Sequence, residues 1–219
     1  LRSMLLLNEF GLAGKIYCKF NNGLCYEFVH GSVADEDIRN PAFAKLIAKE
    51  FARLHTLPVK EKFTSLEVRP FVFPRLREWI KMLPDQFPNP ALHERYTSIC
   101  PTPKEFAAEV DDMERHLLPL NSPVVFCHND LLAKNVIISP NKDRVYMIDF
   151  EYADYNYLAF DIGDHFCEYA GMHTVDYAFY PQRDVQVDWL RNYLKFKAEF
   201  QGDSAFEPND DELYKLYGD

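Results

Sequence analysis

Apolar and polar positions recur with two different periods along this chain, and each change of period marks an element. "KIYCKF" (15–20) and "LCYEFV" (24–29) are short β-prone runs joined by Asn21-Asn22-Gly23. Asn and Gly tolerate positive φ, so the stretch reads as a hairpin. "HGSVADED" (30–37) breaks that pattern. From Asn40 the period turns helical. Phe43, Leu46, Ile47, Phe51 and Leu54 share one face, and Lys45, Lys49 and Arg53 fall on the other. Asn40 supplies the cap and Pro41 the first helical position.

Residues 57–75 are irregular and proline-containing, and "RLREWIKML" (75–83) predicts a short helix ended by Pro84. "PDQFPNPA" (84–91) reads as a loop. A strong helix is expected over 102–118, where Thr102 caps, Pro103 starts and Glu105 completes a capping box. Phe106, Val110, Met113 and Leu117 are its expected buried stripe. "VVFC" (124–127), "NVIIS" (135–139) and "RVYMID" (144–149) form a compact β region, with "PNKD" (140–143) as a turn. A tract rich in Tyr and Phe follows, up to Pro181. Asp184 is expected to cap an amphipathic helix with Val187, Leu190 and Leu194 inward, and Asn209 a last short one. The order predicts an α+β fold with a helix-dominated second lobe.

Composition narrows the function classes. The 219 residues carry 24 basic and 34 acidic side chains, a net charge of −10. A general nucleic-acid binder would show a basic stripe instead. The five cysteines are scattered, without close metal-ligand spacing, and predict reduced thiols and a cytoplasmic protein. No apolar run approaches the roughly 20 residues that cross a bilayer, so no membrane insertion is expected. The first residues already read as the inside of a helix, so the chain is expected to be a piece of a longer protein.

The candidate chemistry sits in "FCHNDLLAKNVII" (126–138), where His128, Asn129, Asp130 and Asn135 interrupt two apolar runs. Asp130 precedes Asn135 by five residues, and Asp149-Phe150-Glu151 follows at the end of the next strand. The catalytic loop of kinases has the pattern H-x-D-x-x-x-x-N, followed by a strand ending in a metal-binding Asp. Phosphoryl transfer needs an acceptor oxygen in line with the phosphate and a cation to neutralise developing charge. A carboxylate, Asp130, suits the hydroxyl proton. The oxygens of Asn135 and Asp149 suit Mg²⁺, a hard ion. His128 is expected to orient the loop. A zinc site on His128 and Asp130 lacks its third and fourth ligands.

"CHNDLLAKNVI", "MIDFEYADYNYLAFDIGDHFCEYAG", "FNNGLCYEFVHG" and "TVDYAFYPQRDVQVDWLRNYL" resemble the choline/ethanolamine kinase family, and its ethanolamine branch in particular. The resemblance implies the protein-kinase-like bilobal fold, with residues 1–30 ending the N-terminal lobe and 31–219 forming a helical catalytic lobe. It implies ATP and Mg²⁺ as cofactors and a small amino alcohol as substrate, with choline as the rival to ethanolamine and a homodimer as one open arrangement. Asp130 would be the catalytic base, and Asn135 and Asp149 the magnesium ligands. Glu27, Phe28 and Val29 would be the hinge that meets adenine. Ile137 and Ile148 would lie under the adenine ring, with ordinary core packing as the alternative. Tyr152 and Glu168 would shape the amine pocket, and Asp161 and His165 would brace it by hydrogen bonds. The family's phosphate-covering loop, nucleotide-gripping lysine and C-terminal tryptophans have no counterpart in this sequence. A non-catalytic binding relative and an aminoglycoside-type phosphotransferase are the remaining readings.

Overall fold

The computed structural model describes residues 2–84, 86–172 and 174–218, so Leu1, Asp85, His173 and Asp219 lie outside it. In chain order the elements are α1 (Arg2–Glu9), the strands β1 (Ile16–Phe20), β2 (Gly23–Tyr26) and β3 (Ser32–Val33), and the helices α2 (Pro41–His55) and α3 (Val59–Lys62). Next come α4 (Val72–Met82), α5 (Pro90–Ile99) and α6 (Pro103–Leu117), then β4 (Val124–Cys127), β5 (Val136–Ile138), β6 (Val145–Met147) and β7 (Asp154–Tyr157). The chain ends in α7 (Leu158–Glu168), α8 (Arg183–Phe200) and α9 (Asp210–Gly218).

Two compact units arise. One runs to Val68 and resumes at Pro123, and the other is Arg69–Ser122. In the first, β1 and β2 form the expected hairpin across Asn21-Asn22. A three-stranded antiparallel sheet has the order β3-β5-β6, and β4 pairs with β7. The core gathers on α2, whose Phe43, Ile47, Phe51 and Leu54 are buried as the helical period requires. Its cap is the one expected, with the Ala42 amide donating to the Asn40 side chain at 3.0 Å. From α8, Trp189, Leu190 and Tyr193 are buried, with Phe51 edge-on to Trp189 at 5.4 Å.

The second unit consists of helices with little buried surface, two of which, α5 and α6, have clear start signals. Thr102 and Glu105 form the expected capping box. The expected buried stripe of α6 is corrected, because only Val110 is buried and Met113 and Leu117 are 45% and 48% exposed. Two further assignments change. Residues 90–99 form α5 rather than extending the loop, since Asn89 caps and Pro90 starts it. Asp184 lies within the first turn of α8, whose cap position is Gln182. Asn209 caps α9 as expected, accepting from the Glu212 amide at 2.9 Å.

Candidate active site

Residues 128–135 form a loop between β4 and β5, and most of its stray backbone amides are taken up by one helix. Asp161, Asp164 and Glu168 fall on one face of α7, at spacings of three and four. Asp161 accepts from the His128 amide at 2.9 Å and from the Asn129 amide at 2.7 Å. Asp164 accepts from the Leu131 amide at 3.1 Å, and Glu168 from the Ala133 amide at 2.8 Å. Buried amides must be paired, so three carboxylates here do the work that a strand partner does elsewhere.

Side chains finish the anchorage. Asn129 donates to the carbonyls of Tyr152 at 2.9 Å and Asp154 at 3.2 Å, and accepts from the Asn156 amide nitrogen at 2.8 Å. His128 Nε2 donates to the Ile148 carbonyl at 2.9 Å, which ties the loop to the end of β6. Asn129 and Asp149 both have left-handed backbone, with φ of 67° and 65°. Asn and Asp are the side chains that tolerate this region best. The chain therefore turns sharply at the two places where Asp130 and Asp149 emerge.

The loop and strand end bring Asp130, Asn135 and Asp149 together. The Asn135 side-chain nitrogen donates to the Asp130 backbone carbonyl at 3.0 Å, and the Asn135 backbone carbonyl accepts from the Ile148 amide at 2.9 Å. Committing the amide nitrogen leaves the amide oxygen to face a cation. An amide oxygen with the exposed Asp149 carboxylate is a donor set suited to Mg²⁺. Burial raises the Asp130 pKa, His128 pulls it back, and the Asp149 charge adds to the rise.

Asp161 is fully buried. Burial works to raise its pKa, but the His55 hydrogen bond and the His55 and His128 charges outweigh it, and the pKa falls below the usual carboxylate range. His55 Nε2 donates to Asp161 at 3.0 Å, and its Nδ1 pairs with the Tyr193 hydroxyl at 2.9 Å. Cys127 lies within 4.8 Å of both His55 and Asp161. The Cys127 thiol donates separately to the Asn156 carbonyl at 3.6 Å. Asp164 behaves oppositely: burial and the nearby Asp161, Glu168 and Asp130 charges push its pKa up to about 7.

The other expected site residues fall into two groups. Glu27, Phe28 and Val29 follow β2, with Phe28 73% exposed. Gly31 brings this segment against β5, because a Cβ there would lie 2.2 Å from the Ile138 carbonyl oxygen and 2.7 Å from the Ile137 side chain. Ile137 is buried and Ile148 half-buried. Tyr152 is on the surface beside the loop, and Glu168 spends one carboxylate oxygen on Ala133.

His165 departs from expectation. It makes no hydrogen bond among the described residues through either ring nitrogen, and packs instead against Phe51, Trp189 and Tyr169 at 5.4–5.7 Å. Its neighbours on the adjacent helices are aromatic, so it fills volume rather than bracing by hydrogen bonds.

Sequence reasoning missed the anchoring roles of Asn129, Asp164, His55 and Asn156. Asp164 was discoverable, since it sits three residues after Asp161 and four before Glu168. His55 carries no such signal.

A family model described as choline/ethanolamine kinase matches residues 1–219, and the chain belongs to that family. It is 42% identical over 217 residues to ethanolamine kinase 2 of Mus musculus, covering 99% of this chain and 52% of that protein. It is 40% identical over 208 residues to ethanolamine kinase 1 of Mus musculus, covering 92% of this chain and 55% of that protein. The chain thus spans about half the length of the curated relatives it matches. A solved ethanolamine kinase from Plasmodium vivax superimposes with a TM-score of 0.79 at 25% identity, over 98% of this chain and 58% of that one. The α+β, protein-kinase-like fold expected from the sequence is the fold found.

Proposed function

We propose that the protein transfers the γ-phosphoryl group of ATP to the hydroxyl of ethanolamine, with Mg²⁺ as cofactor, in the cytoplasm. The observation that carries this reading is the meeting of Asp130 and Asn135, on a loop strapped to α7, with Asp149 just past the end of β6. The similarity to ethanolamine kinases supports the choice of substrate over choline.

Asp130 accepts the hydroxyl proton as the substrate oxygen bonds to phosphorus and the bond to the bridging oxygen breaks. Its raised pKa makes it a better proton acceptor than an ordinary surface carboxylate. Asn135 and Asp149 would hold Mg²⁺, which neutralises charge on the phosphates. The hinge residues Glu27, Phe28 and Val29 would offer backbone groups to adenine, with Ile137 and Ile148 against its ring. Glu168 keeps one carboxylate oxygen for the ammonium, and the Tyr152 ring offers it an aromatic face.

The test is an ATP-coupled assay with ethanolamine and choline side by side, in Mg²⁺ and in EDTA. Magnesium-dependent turnover that favours ethanolamine is expected. Asp130→Ala should cut kcat by at least about a hundredfold while leaving the melting temperature within a few degrees. Near-normal turnover by that variant would remove Asp130 from the chemistry. Equal or better use of choline would overturn the substrate assignment.

A further inference from the structure

We propose that Cys18 and Cys25 form a modification site: a thiol pair that low-molecular-weight disulfides close into a reversible cross-link over the β1–β2 hairpin. The strand register carries the inference. Cys18 and Cys25 are direct partners in the antiparallel ladder. Such partners put their side chains on the same face with Cα atoms about 4.5–5.5 Å apart, inside the span of about 4.4–6.8 Å that a disulfide takes. The Cys25 thiol is close enough to raise the Cys18 pKa. Both cysteines are exposed, so a small reagent reaches them.

The other cysteines serve as internal controls. Cys127 is buried and Cys100 half-buried, and Cys167 is exposed on α7. None of the three faces another cysteine across a described strand pair.

The chemistry balances without a further reactant. One protein thiolate attacks a sulfur of the small disulfide, its S–S bond breaks, and one small thiol leaves. The second protein thiolate then attacks the protein sulfur of this mixed disulfide and expels the second small thiol. Two protein thiols are oxidised, one small disulfide is reduced to two thiols, and the two protons go to the leaving thiolates. Local desolvation and the Cys25 thiol raise the Cys18 pKa, so closure quickens as pH rises.

The cross-link acts on a particular segment. Among the described residues β1 pairs only with β2, and an isolated two-stranded ladder is marginal in water. The ladder runs on past the bulge at Tyr17 to Lys15 and Glu27, where the Glu27 amide donates to the Lys15 carbonyl at 2.8 Å. Closing Cys18 on Cys25 pins this register beside the segment 27–29. The closure itself does not depend on the kinase reading.

The test uses the folded protein in oxidised glutathione, quenched in acid and digested with trypsin without reduction. Cleavage after Lys15, Lys19 and Arg39 puts the two cysteines on separate peptides, Ile16–Lys19 and Phe20–Arg39. These peptides should remain joined until a reductant is added, and closure should be faster at higher pH. Cys18→Ser should instead retain a glutathione on Cys25. Separate adducts on both cysteines of the unmutated protein, or an unmodified pair where Cys167 has reacted, would overturn the proposal. The Glu27 amide should exchange more slowly in the oxidised form, and equal rates would overturn the stapling of that segment.

Discussion

The loop 128–135 and the helices of Arg69–Ser122 are both held largely by polar contacts, but the contacts work in opposite surroundings. Around the loop the acceptors are buried (Asp161) or half-buried (Asp164 and Glu168), and each carboxylate of α7 takes amides that have no other partner. In the helical unit they are exposed: Arg77 pairs with Asp111 at 2.7 Å and with Glu114, while Thr102 and Glu105 cap α6. Water replaces an exposed contact at little cost, whereas a buried group stripped of its partner keeps its full desolvation penalty. A loop that must hold carboxylates in fixed positions therefore draws on the first kind, and a unit of largely exposed helices can manage with the second.

The largest effect should come from Asp161→Ala. The change leaves the His128 and Asn129 amides and His55 Nε2 without their acceptor in a buried place. Breaking such a set costs about 3–5 kcal/mol. Urea denaturation followed by tryptophan fluorescence reads the loss as a lower midpoint. A change below about 1 kcal/mol would mean that water reaches these amides, and the contrast between the regions would fail.

A second prediction concerns pH. Burial lowers the His165 pKa from 6.5 to about 4, with the Asp161 charge pulling the other way. Between these values the unfolded chain binds a proton that the folded one refuses, so stability falls as pH drops through that window. The full effect is about 3 kcal/mol. Asp164 has the opposite sign: its pKa rises from 3.8 to about 7, so the folded state holds the extra proton and loses stability as pH rises across that range. His165→Phe isolates the first effect. The gap in unfolding free energy between wild type and variant should widen against the wild type by about 3 kcal/mol from pH 7 to pH 4. Any constant packing difference cancels in that comparison, and a pH-independent gap would show that His165 charges freely in place.

The same contrast explains what the sequence could reveal. Helix α6 was legible because its start is local, with Thr102, Pro103 and Glu105 within four positions of one another. Helix α5 has the same kind of start at Asn89-Pro90, but the neighbouring prolines made it read as loop. Helix α7 and strand β7 escaped for a different reason. Helix α7 starts after Tyr157 without a side-chain cap, and its polar face is turned inward onto the loop, so no local start signal marks it. Asp130, Asn135 and Asp149 were singled out by their spacing, and the structure brings them close to one another. The residues that hold them were not, since His55 reaches Asp161 across 106 positions and Asn156 reaches Asn129 across 27.

The smallest effect sharpens the comparison from the other side. Thr102→Ala removes the side chain that accepts from the Glu105 amide at 3.2 Å, at the exposed start of α6. Loss of such a cap costs about 1 kcal/mol. Amide hydrogen exchange in the first turn of α6 should speed up by about fivefold, the factor that corresponds to about 1 kcal/mol. The amides of His128, Asn129 and Leu131 should keep their protection, because their acceptors lie on α7. A matching rise in their exchange would show that the two regions open together, and the polar contacts of the helical unit would then bear on the site after all.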